Sequence, residues 1–143
     1  MRLVLDTNEY IFALGVQRKP SCERLVAAVH LARHAVRVER TIVREVIRNL
    51  RSNDVSAFFE TLHLLLEDGC GIDEEFMVPH HLGLHYQDLG FKEGDAHFAA
   101  YAEVVEVDVL VSENRRHFHA MAGHLPFRVM DAEQFLKRYE APR

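Results

Sequence analysis

The first ten residues, Met1-Arg-Leu-Val-Leu-Asp-Thr-Asn-Glu-Tyr10, decide the fold class. Leu3, Val4 and Leu5 form an uninterrupted apolar run, which is typical of a strand buried on both faces of a parallel sheet. Asp6 ends the run, and a segment with helical spacing follows it. Because open α/β sheets bind ligands beyond the carboxyl ends of their strands, Asp6 is a candidate for chemistry. The alternative is that Asp6 only caps the following helix.

Further strands and helices alternate along the rest of the chain. A short alternating segment at Val36–Val38 and largely apolar segments at Val107–Val111 and Phe127–Met130 predict strands. The stretches between them have helical spacing, and a last helix is predicted over Ala132–Tyr139. This alternation predicts an α/β fold, a three-layer α/β/α sandwich with a mostly parallel central sheet. Without a repeat or a linker, residues 1–143 are expected to form a single domain.

Polar residues ahead of the periodic segments predict where helices begin. Thr41 is the predicted cap of one helix, and Asn53 or Asp54 the predicted cap of the next. The acidic run from Asp73 to Glu75 is expected to be a solvated loop.

Composition restricts the class of protein. A 143-residue chain with 48% hydrophobic and 27% charged residues is typical of a globular domain. No segment has the length of a bilayer span or the pattern of a signal peptide, so a cytoplasmic protein without a membrane partner is expected. Two cysteines are too few for a disulfide framework. The net charge of −5 argues against a plain nucleic-acid binder, but it does not exclude a metal-dependent nuclease.

Three acids and one amide occur at informative places in the predicted fold: Asp6 ends the first strand, Glu45 lies on the helix after the second, Asp95 lies at the start of a helix, and Asn114 follows the strand Val107–Val111. Oxygen ligands that converge from strand and helix ends are suited to Mg²⁺ and to phosphoryl chemistry. Each residue also has a structural interpretation. Glu45 can pair with Arg48 on its helix, while Asp95 and Asn114 can cap the helices that follow them.

Four segments resemble, in order, the motifs of the PIN domain family: Val4–Asn8, Thr41–Ile47, Gly94–Ala102 and Val109–Phe118. Each motif is weak alone, but four in order cover nearly the whole chain. The resemblance is closest to the single-domain VapC-like toxins of type II toxin–antitoxin pairs. It implies a metal-dependent endoribonuclease with an RNA substrate. An antitoxin partner and a homodimer are expected with it.

The resemblance also implies roles for individual residues. Asp6, Glu45 and Asp95 match the acids that bind Mg²⁺ or Mn²⁺, and Asn114 completes the catalytic set. Ser112 and Asn8 match polar residues that support the site.

Asn114 departs from the commonest pattern, because many members have a fourth Asp there. A neutral amide is a weaker ligand, so the number of bound metals stays open. Glu113 is adjacent to Asn114, but neighbouring side chains of an extended segment point in opposite directions. Glu113 is therefore a poor substitute.

Three arginines, Arg44, Arg48 and Arg51, cluster on one face of a predicted helix near Glu45. They are interpreted as a phosphate track toward the metal site, as a surface for an acidic partner, or as a solvated helix face.

Other patterns are weaker. His81 and His85 have i, i+4 spacing, but no glutamate follows His81 as in the HExxH zinc motif. A glycine-rich phosphate loop is also absent from the sequence, which argues against a nucleotide-binding enzyme.

The sequence therefore favours a metal-dependent endoribonuclease. The alternative from another class is a non-catalytic PIN-like module that binds RNA or a protein. A deoxyribonuclease would use the same site.

Overall fold

A parallel sheet of four strands forms the centre of the structure, a computed structural model that describes residues 1–140 apart from the side chain of Arg115. The strands are β1 (Arg2–Leu5), β2 (Ala35–Arg37), β3 (Val109–Val111) and β4 (Arg128–Met130). Their order is β2-β1-β3-β4, and Leu3 of β1 pairs with Val36 on one side and Val109 on the other. The predicted α/β class with a parallel sheet is confirmed.

Helices connect the strands and cover the sheet. They are α1 (Thr7–Leu14), α2 (Pro20–Leu31), α3 (Arg40–Asn49), α4 (Ser52–Leu65), α5 (His80–Asp88), α6 (Glu93–Val104) and α7 (Ala132–Tyr139). Short 3₁₀ turns occur at Glu75–Met77 and Ala122–His124, and a π-helical turn occurs at Arg115–His119. Helix α2 packs against α1 and α7, whereas α5 packs against α6. This grouping is compatible with the predicted three layers. Among residues 1–140, none of the helices has the length and apolar content that crossing a bilayer requires.

The core lies on the central strands. Leu3, Val4 and Leu5 of β1 are at most 1% exposed, as are Val109 to Val111 of β3. Burial on both faces explains why these strands have continuous apolar runs instead of alternation. Burying each such side chain contributes about 1.5–3 kcal/mol, so the sheet is held rigidly and its ends are fixed in place.

The predicted helix caps are wrong for α3 and α4. Glu39 occupies the cap position of α3 and Arg51 that of α4, and neither side chain makes a capping hydrogen bond. The Thr41 hydroxyl instead donates to the Glu39 carboxylate. Packing of buried faces, such as that of Val43 on α3, determines where these helices begin.

The expectation that the run from Asp73 to Glu75 is solvated is wrong for Asp73, whose side chain is largely buried, whereas Glu75 is exposed as expected. The Asp73 carboxylate accepts hydrogen bonds from Arg37 at 2.9 Å and from the Tyr101 hydroxyl at 2.6 Å. Arg40 binds Glu74 at 2.6 Å, and Arg44 binds Glu75. The acidic run is therefore attached to the arginines of β2 and α3.

Candidate active site

A cleft of about 1080 Å³ opens beyond the carboxyl ends of β1 and β3. The Asp6 amide donates to the Val111 carbonyl at 2.9 Å, which fixes the two strand ends side by side. The cleft is lined by all four predicted catalytic residues and by Asn8. The structure therefore brings Asp6, Glu45, Asp95 and Asn114 to one place, although more than 100 residues separate the first from the last.

Asp6 is held at the first turn of α1. It is the cap residue of that helix, and its Oδ1 accepts from the Thr7 amide at 2.8 Å. Its Oδ2 accepts from the Ser112 hydroxyl at 2.7 Å. Burial raises its pKa from 3.8 to about 6, and the nearby carboxylates of Glu45 and Asp95 add to the increase against the hydrogen bonds. Asp6 therefore caps α1 and at the same time lines the cleft.

Glu45 faces the cleft from the exposed side of α3. Its Oε2 accepts from the Thr7 hydroxyl at 3.1 Å, so one residue of α1 contacts the carboxylates of both Asp6 and Glu45. Within residues 1–140 no ion pair joins Glu45 to Arg48, contrary to the structural interpretation of this acid.

Asp95 lies in the first turn of α6, but it does not cap that helix. The cap position is occupied by Lys92, and α6 begins at Glu93. The Asp95 Oδ2 lies 2.6 Å from Nδ1 of His117, and both side chains are 27% exposed. Asp95 is therefore oriented by a histidine from the turn after β3.

Asn114 uses its side chain to cap the π-helical turn Arg115–His119. Its Oδ1 accepts from the His117 backbone amide at 3.2 Å, and the backbone amide of Asn114 donates to the Ser112 hydroxyl at 3.0 Å. Ser112 is fully buried, and it links Asn114 to Asp6. The hydrogen bonds on Asp6 come from Ser112 and Thr7, while Asn8 lines the cleft as an exposed residue.

Sequence reasoning missed a second pair in the cleft. Glu39 is only 1% exposed, and its carboxylate oxygens lie 2.8 and 2.9 Å from Nε2 of His97. The hydrogen bond to Glu39 raises the pKa of His97. The two residues are 58 positions apart, so no local pattern indicates their contact.

A largely buried cluster that does not line the cleft was also missed. Ligand atoms of Glu9, Cys22 and Glu113 all lie within 4.8 Å of one another. Burial and the neighbouring Glu113 carboxylate raise the pKa of Glu9 to about 10, so Glu9 is protonated at neutral pH. The Ala132 amide donates to Glu113 at 3.0 Å. Glu113 thus faces away from Asn114, as side-chain alternation predicted.

The cleft acids fit a hydrated divalent cation. Among the side chains that the structure describes, no lysine or arginine forms an ion pair with Asp6, Glu45 or Asp95. Their oxygens do not all approach within 4.8 Å, unlike those of the buried cluster. Mg²⁺ keeps several waters and usually takes one or two carboxylates, so this wider spacing suits it. Oxygen donors that have no lysine or arginine partner among the described side chains fit the chemistry of a cation site.

The predicted arginine face is only partly free. Arg44 binds Glu75. The prediction that all three arginines share one helix is wrong for Arg51, because α3 ends at Asn49 and Arg51 occupies the cap position of α4, where it binds Asp54 at 2.9 Å. Arg48 is exposed. A phosphate group would therefore compete with acids of the same chain at two of the three arginines.

Comparison with known proteins identifies solved structures that share the fold of this chain. No protein-family model and no curated protein matches the sequence. A chain of VapBC2 from Rickettsia felis, in a crystal structure with a DNA fragment from their promoter, has a TM-score of 0.62 and 15% identity. A chain of FitAcB from Neisseria gonorrhoeae has a TM-score of 0.62 and 16% identity. Each alignment covers 92% of this chain and 98% of the other chain. At such identities the likeness establishes the shared fold.

Proposed function

We propose that this chain is a metal-dependent endoribonuclease of the PIN-domain type and the toxin of a type II toxin–antitoxin pair. The observation that carries the proposal is the cleft at the carboxyl edge of the sheet. It gathers Asp6, Glu45 and Asp95 without a lysine or arginine partner among the side chains described. Such a concentration of carboxylates is unfavourable unless a cation binds there.

Asp6, Glu45 and Asp95 are the residues that would hold Mg²⁺ or Mn²⁺. When bound, the cation supplies Lewis acidity and offsets charge on the scissile phosphate. Ser112 and the Thr7 amide fix the Asp6 carboxylate, and the Thr7 hydroxyl aligns Glu45 beside it. These fixed oxygens would orient the attacking water opposite the leaving oxygen. Hydrolysis would then proceed without a covalent bond to the protein.

The toxin assignment rests on the shared fold and on the motif resemblance. VapBC2 and FitAcB cover nearly the whole chain, and the motifs resemble those of VapC-like toxins. We therefore propose an antitoxin as the protein partner, RNA as the substrate and a homodimer as the assembly. Arg48 and the arginines beside it are the candidate surface for RNA or for the antitoxin.

The alternative is a non-catalytic PIN-like module that binds RNA or a protein. The capping role of Asn114 favours this alternative, because its Oδ1 is occupied by the His117 amide. A module of this kind would bind its partner without any change in RNA length. A deoxyribonuclease would act through the same carboxylates, and only a comparison of RNA with DNA substrates separates it.

The test is cleavage of a single-stranded RNA pool, and of DNA of the same sequence, with Mg²⁺, with Mn²⁺ and with chelator. Wild-type protein is expected to cut RNA only with a cation. Asp95→Asn should lower the rate by ~100-fold or more, equivalent to about 2.7 kcal/mol of transition-state stabilisation. Because Asp95 does not cap α6, the variant should keep its fold.

The matched control is Glu93→Gln, which removes one negative charge two residues away on the same helix. Its rate should stay within about threefold of wild type. Equal loss in both variants would indicate a general charge effect. Wild-type cleavage by folded Asp95→Asn protein would reject Asp95 as a ligand, and preference for DNA would reject the ribonuclease.

A further inference from the structure

The turn after β3 places a histidine nitrogen beside a carboxylate of the proposed cation site. Nδ1 of His117 lies 2.6 Å from Oδ2 of Asp95, at the edge of the cleft where Asn114 also lies. His117 and Asp95 are each 27% exposed, so a cation could reach both side chains from solvent.

Asn114 is poorly placed to be the fourth ligand. Its Oδ1, the only ligating atom of the amide, accepts from the His117 amide at 3.2 Å. Its Nδ2 lies 3.4 Å from Nδ1 of His117. These contacts hold the π-helical turn in the conformation that directs the imidazole toward Asp95. The backbone of the turn contributes as well, since the Asn114 carbonyl accepts from the Phe118 amide at 3.2 Å.

The spacing of the two donor atoms fits a shared ion. Two ligands each about 2.1 Å from one cation, at right angles to one another, lie about 3 Å apart. The 2.6 Å between His117 Nδ1 and Asp95 Oδ2 needs only a small opening to reach that spacing. Neutral imidazole suits transition metals, whereas carboxylates and water suit Mg²⁺.

We propose that His117 is a ligand of the cation held by Asp95, and that it makes the site selective for Mn²⁺ over Mg²⁺. The inference rests on the cation site of the proposed function. Asn114 is then a positioning residue that caps the turn, and the imidazole takes the place that a fourth carboxylate would fill.

The experiment measures cation binding apart from RNA cleavage. Wild-type, His117→Ala, His117→Gln and His97→Gln proteins are titrated calorimetrically with Mn²⁺ and with Mg²⁺. Metal-free melting curves establish whether each variant is folded. If His117→Ala does not fold, the comparison is made with His117→Gln. Pulsed electron paramagnetic resonance of bound Mn²⁺ reports directly whether a nitrogen nucleus is coordinated. His97→Gln is the matched control, because His97 also contacts a carboxylate in the cleft, that of Glu39.

Loss of His117 is expected to weaken Mn²⁺ binding by ~10-fold or more and Mg²⁺ binding by less than about threefold. The nitrogen signal of bound Mn²⁺ should disappear in the His117 variants and remain in His97→Gln. Equal weakening of both cations, or a nitrogen signal that persists without His117, would overturn the inference and leave His117 as a positioning residue for Asp95. Failure of wild-type protein to bind either cation would overturn it as well.

RNA cleavage, assayed in parallel, separates this inference from the proposed function. Cleavage with unchanged cation preference in the His117 variants rejects only the nitrogen ligand. Cation binding that depends on His117, in a protein that cuts no RNA, supports the ligand and rejects the ribonuclease.

Discussion

Asp6 is the residue at which function and stability oppose each other most directly. Its pKa is raised from 3.8 to about 6, chiefly by burial at the end of β1. The folded chain therefore holds this proton more tightly than the unfolded chain. Without a cation, stability is lost as the pH rises from 3.8 to about 6, and the loss is complete above that range. It amounts to about 3 kcal/mol.

Asp6→Asn should accordingly stabilise the cation-free protein at about pH 7.5, by ~1–3 kcal/mol, because the amide carries no charge to desolvate. The difference in the free energy of unfolding between Asp6→Asn and wild type should become small at about pH 4, where Asp6 is protonated in the folded chain. Urea unfolding in chelator at both pH values measures it. Asp68→Asn, which neutralises an exposed carboxylate, is the control and should follow wild type. If the free energy of unfolding depends on pH in the same way in wild type and Asp6→Asn, ionisation of Asp6 does not destabilise the fold.

At the scale of elements, the face of α3 and the acidic segment from Asp73 to Glu75 form one unit. Glu75 is 45% exposed and Arg44 is 62% exposed, so their ion pair is open to water and is weak. If the arginine face binds RNA as proposed, a phosphate would displace Glu75 from Arg44 at small cost. The pairing would then lower the affinity of the face for RNA without blocking it.

Glu75→Gln should raise RNA affinity by ~2–5-fold, since releasing an exposed ion pair is worth under about 1 kcal/mol. Arg48→Ala should weaken binding to all RNA sequences alike and reduce the salt slope of log K by about 0.7. Both are measured in the Asp95→Asn background, so that RNA survives the titration. Glu60→Gln, an exposed acid on α4, is the control for net charge. If RNA affinity and salt slope are unchanged in Glu75→Gln and Arg48→Ala, the face is a partner surface or a solvated one.

The elements themselves were largely predictable, because strands buried on both faces and amphipathic helices leave periodic signals. The helix Ala132–Tyr139 was predicted with its observed bounds, and Asp131 caps it in a capping box with Gln134. The starts of α3 and α4, with Glu39 and Arg51 at their cap positions, were not predictable, since neither side chain makes a capping hydrogen bond and packing fixes these helices. The same holds for contacts between distant positions in the cleft. The His97 contact with Glu39 and the His117 contact with Asp95 depend on tertiary placement.

At the scale of the whole molecule, parallel topology explains why the acids meet. All four strands run in one direction, so the residues that follow β1 and β3 emerge at a single edge. The first turns of α1 and α6 and the exposed face of α3 then place Asp6, Asp95 and Glu45 around that edge. The fold is stabilised by its apolar core, while this edge concentrates carboxylates that form no ion pair with a lysine or arginine among the described side chains, so the proposed cation would reduce their mutual repulsion.

Cation binding should therefore stabilise the entire fold, in a way that depends on pH. At a free cation concentration of 100 times Kd, binding to the folded chain alone adds about 2.7 kcal/mol, which raises Tm by ~8 °C for a chain of this size. At about pH 5 the gain should shrink, because the cation must displace the proton that Asp6 holds with a pKa of about 6. Thermal unfolding of wild type and of Asp6→Asn, with Mn²⁺ and with chelator at about pH 5 and 7.5, measures both effects. The variant should lose most of the cation-dependent gain at either pH. An equal gain in wild type and variant would place the cation elsewhere on the protein, and no gain in either would favour the non-catalytic module.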